Sequence, residues 1–190
     1  MKAQVRVLGI DDGPFTFSAA GTPVVGVVMR LPNYVEGVMC SEVSIDGLEA
    51  TDVVVNMVKK SKYREQVRLI IVDGIALGGF NVLDLDEIYL KTEIPVCSIT
   101  RDKPSISAIE RALRKHFSDW EQRLKLITKN TLEPIRGAHK PIYVCVKGMS
   151  MGELKLLLRR ATVRGALPEA LRVAHLIAAA MVKGESEGKA

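Results

Sequence analysis

Two apolar, β-rich runs, each followed by an aspartate, place the strongest constraint on how this sequence can fold. The first run, residues 5–10, leads into Asp11, and the second, residues 67–72, leads into Asp73. A carboxylate at the end of a buried strand is held rigidly while its charge faces a cleft. If the two strands are neighbours, we expect the two carboxylates to lie close enough to share hard divalent cations. The pattern therefore predicts a carboxylate site at one end of a sheet, which suits phosphodiester hydrolysis.

The order of the predicted elements indicates the fold class. Three strands come first, joined by turn-forming residues, and should form an antiparallel meander. Helical and strand spacing then alternate. The predicted strands are 3–10, 24–30, 36–45, 67–72, 96–99 and 141–147, and the predicted helices are 49–61, 83–92, 105–117, 118–129, 150–162 and 168–183. This order predicts an α/β domain with a ribonuclease-H-like mixed sheet flanked by helices, although other mixed folds share it.

Length and composition predict one intracellular domain. Of the 190 residues, 1–183 should form a single domain and 184–190 a disordered tail. No run of about 18 uncharged apolar residues occurs, so no membrane span is expected, and the first residues lack a signal-peptide layout; we expect a cytoplasmic protein. The net charge of +5 is compatible with a polyanionic partner. Three cysteines without a CxxC pair argue against zinc and predict buried free thiols.

Three aspartates are candidate catalytic metal ligands. Asp11 and Asp73 end their strands, and Asp52 lies in the first turn of the first predicted helix. Two Mg²⁺ or Mn²⁺ ions about 4 Å apart could activate a water and stabilise the leaving 3′ oxygen. Asp12 and Asp46 are candidate auxiliary ligands. For each aspartate a structural role stays open, because Asp-Gly after a strand is a common turn and Asp near a helix start is a common cap.

Basic residues near the predicted strand ends are candidate phosphate contacts. Arg101 and Lys103 follow the strand 96–99 and could bind a phosphate, with a solvated loop as the alternative. Arg159 belongs to a basic stripe that would position a nucleic-acid backbone without reading bases. His175 lies among apolar residues of the last predicted helix, which favours a core or interface role.

Short motifs around these residues resemble known nucleases. Gly9-Ile10-Asp11 and Val72-Asp73-Gly74 resemble the two acidic strand motifs of endonuclease V, a ribonuclease-H-like nuclease that cuts near deaminated bases. Asp52 stands 73 − 52 = 21 positions before Asp73, where that family places a helical glutamate. The segments 9–15, 46–51 and 168–177 resemble the archaeal endonuclease dU family more closely.

The resemblance implies a divalent-metal-dependent endonuclease that cleaves DNA at deoxyuridine. Arg101 or Lys103 occupies the place where endonuclease V has a lysine near its site. Lys147 stands where a histidine is expected and would contact nucleic acid. The loop 74–81, with Phe80 and Asn81, is expected to form the pocket for a flipped base. RNA instead of DNA, and the oligomeric state, remain open.

Two further functions stay under consideration. The absent histidine after the strand 141–147 leaves room for a catalytically inactive nucleic-acid-binding protein that retains the fold. A metabolic α/β enzyme, in which Asp73-Gly74 is only a turn, is the third possibility. No P-loop or GxGxxG string follows a predicted strand, which argues against nucleotide-cofactor chemistry.

Overall fold

The computed structural model describes residues 4–136 and 141–186. The elements are β1 Arg6–Asp12, β2 Gly21–Arg30, β3 Tyr34–Ser44, α1 Ala50–Lys60, β4 Val67–Asp73, β5 Ala76–Leu77, β6 Asn81–Val82, α2 Leu85–Thr92, β7 Val96–Thr100, α3 Ile106–His116, α4 Trp120–Thr128, β8 Glu133–Ile135, β9 Ile142–Lys147, α5 Met151–Ala161 and α6 Glu169–Lys183. A short 3₁₀ turn precedes β4. The predicted elements are all present, with ends shifted by a few residues.

Seven strands form one mixed sheet in the order β3-β2-β1-β4-β7-β9-β8. The first three strands are an antiparallel meander, and β1, β4 and β7 run parallel. β9 is antiparallel to β7, and the edge strand β8 is antiparallel to β9. The predicted mixed sheet is therefore confirmed. Two additions were not predicted: the edge strand β8, and the hairpin β5–β6, whose turn has Gly78 and Gly79 at positive φ.

Helices cover both faces of the sheet because successive strand residues point to opposite sides. Val7 packs in the core shared with α5 and α6, whereas Leu8 and Ile10 pack in the core shared with α1 and α2. A third cluster joins α3 and α4 to the β5–β6 hairpin around Leu113 and Ile127.

Local side-chain chemistry explains where two of the helices begin. Asp84 caps α2 by accepting the backbone N–H groups of Asp86 and Glu87. Ser150 and Glu153 form a reciprocal capping box at the start of α5. Each cap satisfies backbone donors that the first helical turn leaves unpaired.

Other sequence predictions have mixed outcomes. Cys97 and Cys145 are buried free thiols as expected, but Cys40 is exposed. The predicted tail lies partly outside the described residues, from 187 onwards. Within the described ranges, no helix combines the length and apolarity that crossing a membrane requires.

Candidate active site

Asp11 and Asp73 lie at the same end of two neighbouring parallel strands. Ile10 of β1 pairs with Val72 of β4, so the aspartates that follow them are adjacent in the sheet. Ile10 and Val72 point into the core with α1 and α2. By the alternation of strand side chains, both aspartates face the opposite side, towards α6.

A glycine in β1 allows α6 to lie directly on the strand. A Cβ at Gly9 would stand 2.5 Å from the carbonyl carbon of Ala170 and 2.6 Å from the backbone nitrogen of Leu171. This close approach carries the next turn of α6 over the end of β1. His175 lies there, with its Nδ1 2.8 Å from Oδ2 of Asp11.

The Asp11 carboxylate is buried and fixed by two hydrogen bonds. Its residue is only 5% exposed. Oδ1 accepts the backbone N–H of Asp12 at 2.9 Å, and Oδ2 faces His175. The hydrogen bond to Asp11 raises the pKa of His175, so the charged imidazolium is favoured beside the carboxylate.

The other two carboxylates of this site, those of Asp73 and Asp12, have raised pKa values. Burial, followed by the charge of Asp11, raises the pKa of Asp73 to about 6, against the opposing charges of Arg101 and His175. Burial also raises the pKa of Asp12 to about 6, although its Oδ2 accepts the Gly78 N–H at 3.0 Å. The Asp73 carboxylate makes no hydrogen bond to any residue that the structure describes.

This concentration of negative charge fits a hard cation in its donor chemistry. Mg²⁺ keeps several waters and binds through one or two carboxylates, a requirement that Asp11 and Asp73 meet. A bound cation would also relieve the repulsion that raises the pKa of Asp73. Among the residues in the described ranges, no group of three or more His, Cys, Asp or Glu side chains is arranged to hold a metal ion by itself.

A cleft of about 420 Å³ opens at these carboxylates. Its lining includes Asp11, Asp73 and His175, and Lys183 from the end of α6 adds a positive charge. Arg101 follows β7 on the other side of Asp73 and is exposed. The cleft thus combines buried anionic oxygens with cationic side chains, which suits a phosphodiester and its counter-ion.

The prediction that Asp52 joins this site is wrong. Its carboxylate is 65% exposed and accepts a hydrogen bond from Lys91 Nζ at 3.0 Å. The buried side of α1 carries Thr51, Val54 and Val55, which turns Asp52 outwards towards α2. The helix also lies on the face of the sheet opposite to the Asp11 and Asp73 side chains.

Asp46 and Asp12, the candidate auxiliary ligands, both hold the β5–β6 hairpin. Asp46 has a positive φ of 56°, and its Oδ1 accepts the Phe80 N–H at 2.8 Å. Asp12 accepts the Gly78 N–H and also lines the cleft. Asp12 is therefore the auxiliary residue that the structure places beside Asp11 and Asp73.

Three predicted nucleic-acid contacts have structural partners instead. Lys147 pairs with the start of β7, at the sheet end remote from Asp73, and its Nζ lies 2.9 Å from Asp86. Asn81 is fully buried, accepts the Ala50 N–H at 2.9 Å and donates to the Ser44 carbonyl. Phe80 packs edge-to-face on another ring in the α3–α4 cluster. Phe80 and Asn81 therefore have structural roles in this loop and do not form the expected base pocket.

A basic groove lies at the same sheet end as the cleft. It has a volume of about 420 Å³ and includes Arg136, Lys155 and Arg159 in its lining. Ile142, also in this lining, is next to Tyr143, which pairs with Thr100 at the end of β7. Arg159 was predicted as part of a basic stripe, and the groove extends positive charge beyond Arg101.

His175 was the site residue that sequence reasoning missed. It was expected in the core or an interface, because its neighbours in α6 are apolar. The signal was the row of small residues Ala170, Ala174 and Ala178, which are fully buried and indicate a helix lying close to a backbone. His175 is next to that row and four residues after Leu171.

Comparison with known proteins shows the family of this chain. The endonuclease dU family matches residues 3–182. The chain belongs to the endonuclease dU family. A Methanosarcina barkeri relative, named only as a UPF0215 protein, is 42% identical over 191 residues, covering 100% of this chain and 97% of the relative.

Solved structures confirm the fold of this endonuclease dU family member. A protein of unknown function from Archaeoglobus fulgidus has a TM-score of 0.85 and 38% identity, covering 95% of this chain and 99% of that one. Endonuclease V from Ciona intestinalis, in complex with a 24mer DNA containing an inosine followed by a ribo-adenosine, has a TM-score of 0.57 and 12% identity, covering 90% and 83%. The predicted relationship to the endonuclease V fold is therefore confirmed.

Proposed function

We propose that this protein is a divalent-metal-dependent endonuclease that cleaves DNA at a deaminated base, with deoxyuridine as the preferred one. The adjacent Asp11 and Asp73 carboxylates, with His175 bonded to the first, carry this proposal. Family membership supports a nuclease acting at deoxyuridine. The inosine-containing DNA bound by the structurally similar Ciona endonuclease V supports DNA as the partner.

Some residues of the site would hold the metal ion, and others would orient the carboxylate or attract the phosphate. Asp11 and Asp73 would hold Mg²⁺ or Mn²⁺, which when bound supplies an activated water and stabilises the leaving oxygen. His175 keeps the Asp11 carboxylate in one orientation through the 2.8 Å contact. Arg101 and Lys183 would attract the phosphate next to the carboxylates.

The nucleic-acid backbone would cross the end of the sheet from the cleft to the basic groove. Arg101 lies beside Asp73, and Arg136 and Arg159 continue the positive charge past the end of β7. Neutralising phosphates in this way gives affinity without sequence preference. The net charge of +5 agrees with this role.

Nicking assays with the Asp73→Asn variant test the function. Oligonucleotide duplexes containing deoxyuridine, deoxyinosine or normal bases are incubated with Mg²⁺ or Mn²⁺, and chelator is added in parallel. We expect nicking at deoxyuridine that chelator abolishes and that Asp73→Asn lowers about a thousandfold, because a charged ligand is lost. Asp52→Asn, at an exposed ion pair, is the matched control and should cut at the wild-type rate.

The alternatives make different predictions in the same assay. Binding to DNA without nicking by the wild type would select a catalytically inactive nucleic-acid-binding protein. Neither binding nor nicking would favour the metabolic enzyme. If Asp52→Asn abolished nicking while Asp73→Asn did not, the assignment of the carboxylates would be refuted.

A further inference from the structure

The loop between β1 and β2 presents an exposed aromatic pair beside the carboxylate cleft. This loop, residues 13–20, follows Asp12 directly. Phe15 lines the cleft together with Asp11. Phe17 contacts Phe15 edge-to-face, with the two ring centroids 5.7 Å apart. We call Phe15 and Phe17 the aromatic pair.

The exposure of Phe17 points to a partner with a flat surface. Among the large hydrophobic residues in the described ranges, Phe17 is the most exposed, at 78%. Its edge-to-face contact with Phe15 leaves at least one face of the ring open. A single exposed apolar residue needs no explanation, but an aromatic pair that continues the wall of a cleft marks an interaction surface.

Hydrogen bonds at the base and at the tip of the loop hold the aromatic pair in place. At the base, the Gly13 N–H donates to the Pro23 carbonyl at 2.8 Å. At the tip, the Ala19 N–H donates to the Thr16 carbonyl at 2.9 Å, which closes a four-residue turn with Phe17 in its second position. The loop thus presents the Phe17 ring at the tip of an ordered turn.

The chemistry of this loop favours a nucleobase over a phosphate. Residues 13–20 include no charged side chain, whereas Lys183 brings a positive charge to the wall of the cleft. Successive nucleotides of a stacked strand are about 3.4 Å apart. A ring 5.7 Å from Phe15 can therefore reach a base close to a phosphate that lies in the cleft.

The aromatic pair and the basic groove lie on opposite sides of the carboxylates. The loop 13–20 joins β1 to β2, whereas the groove is lined by residues of β8, β9 and α5, beyond β7 in the sheet. A strand that crosses the sheet end would therefore meet aromatic rings on one side of the cleft and cationic side chains on the other. Rings contact bases, and cationic side chains contact the backbone.

We propose that Phe17 stacks on an unpaired base next to the nucleotide whose phosphate lies in the carboxylate cleft. This proposal rests on the proposed function. Stacking tolerates any sequence because every base has a π face. Phe17 thus adds affinity for DNA that is locally unpaired, without reading which base is present. A mismatched site opens at lower cost than a normal pair and gains from this contact.

Binding measurements on two Phe17 variants test the proposal. Fluorescence anisotropy in chelator, where no strand is cut, compares a duplex with a central bubble of unpaired normal bases to the same sequence fully paired. We expect the wild type to prefer the bubble. Phe17→Leu keeps an apolar side chain but has no π face, and should lower the affinity ratio of the two duplexes about tenfold. Phe17→Trp enlarges the π face and should keep or raise the ratio.

Tyr34→Leu is the matched control for Phe17→Leu. Tyr34 is 58% exposed and pairs with Arg30, which pairs in turn with Arg6 at the start of β1. It is therefore an exposed aromatic residue at the sheet end remote from the carboxylates. The control should keep the wild-type ratio, and thermal unfolding checks that every variant is folded. Because Phe17 is exposed, its replacement should leave Tm unchanged.

The outcome separates this proposal from the nuclease proposal. If Phe17→Leu keeps the wild-type ratio, or if the wild type does not prefer the bubble, Phe17 does not stack on a base, even if nicking at deoxyuridine persists. If the wild type cuts no duplex but the ratio falls in Phe17→Leu and not in Phe17→Trp, the stacking role stands and the nuclease activity is refuted.

Two other results would also overturn the stacking role. If Phe17→Trp lowers the ratio as much as Phe17→Leu, the contact depends on the shape of the side chain and not on its π face. If light scattering shows a dimer that Phe17→Leu dissociates while the ratio stays unchanged, the aromatic pair is a contact between two copies of the chain.

Discussion

Gly9→Ala tests whether the close contact between β1 and α6 builds the candidate active site. The added Cβ would stand 2.5 Å from the carbonyl carbon of Ala170, 2.6 Å from the Leu171 nitrogen and 2.7 Å from the Ala170 oxygen. All three atoms belong to the backbone, so no side-chain rotation can relieve the overlap. Ordinary contact begins at 3.4 Å, and α6 must therefore move by about 3.4 − 2.5 = 0.9 Å.

The displacement should lower the stability of the protein and disturb the geometry of the candidate active site. Overpacking a core costs about 1–3 kcal/mol, and backbone overlap favours the upper value. For a protein of this size, about 3 kcal/mol lowers Tm by about 6–12 °C. A shift of the same size would lengthen the 2.8 Å contact between His175 and Asp11 beyond hydrogen-bonding range. A misplacement of about 1 Å can reduce a catalytic rate by up to about a hundredfold.

Gly152→Ala is the matched control for this substitution. Gly152 lies in α5, and a Cβ there would have only the Ser150 hydroxyl within 4 Å, at 3.9 Å. Replacing a helical glycine by alanine should stabilise the protein by about 0.5–1 kcal/mol. Circular dichroism on heating and the deoxyuridine nicking assay measure the two effects. A Gly9→Ala protein as stable and as active as Gly152→Ala would refute the role of this contact.

Two further predictions concern residues away from the carboxylates. Asn81→Ala leaves the Ala50 N–H and the Ser44 carbonyl without their partner. It should lower the free energy of unfolding, measured in urea, by about 2–4 kcal/mol, while the folded protein keeps its preference for deoxyuridine. A stable variant that loses this preference would contradict the structural role of Asn81. Combining Arg136→Ala with Arg159→Ala removes two positive charges from the basic groove and should weaken binding to every duplex alike. The slope of log affinity against log salt concentration should fall by about 0.9 for each lost phosphate contact. An unchanged slope would exclude the groove from the DNA path.

The pairing of Asp11 with Asp73 could be predicted because it depends on local pattern and on strand order. Each aspartate follows an apolar strand, and a meander followed by a parallel strand brings the two strand ends together. The outward direction of Asp52 was also present in the sequence, since Thr51, Val54 and Val58 repeat at helical spacing and Asp52 lies outside that repeat. The resemblance pointed to Asp52 because it stands 21 residues before Asp73. A spacing in sequence, however, does not determine which face of a helix a residue lies on.

The remaining site features depend on contacts between distant segments. His175 and Asp11 are 164 residues apart, and only the packing of α6 on Gly9 brings them together. In the sequence, Asn81 resembles an ordinary loop residue. Only the folded structure shows that Ala50 and Ser44 are its hydrogen-bond partners. A single sequence carries no direct signal for such partners, because any polar side chain near a turn can be exposed or buried.

The alternation of side chains in β4 and β7 gives this strand end two different surfaces. Asp73 points towards α6, where burial and Asp11 raise its pKa. Ser98, on the neighbouring strand, points to the other side of the sheet and lines a mainly apolar cavity of about 330 Å³ there. Asp12 connects the two, since it lines the carboxylate cleft and also binds Gly78 of the hairpin that follows Ile75.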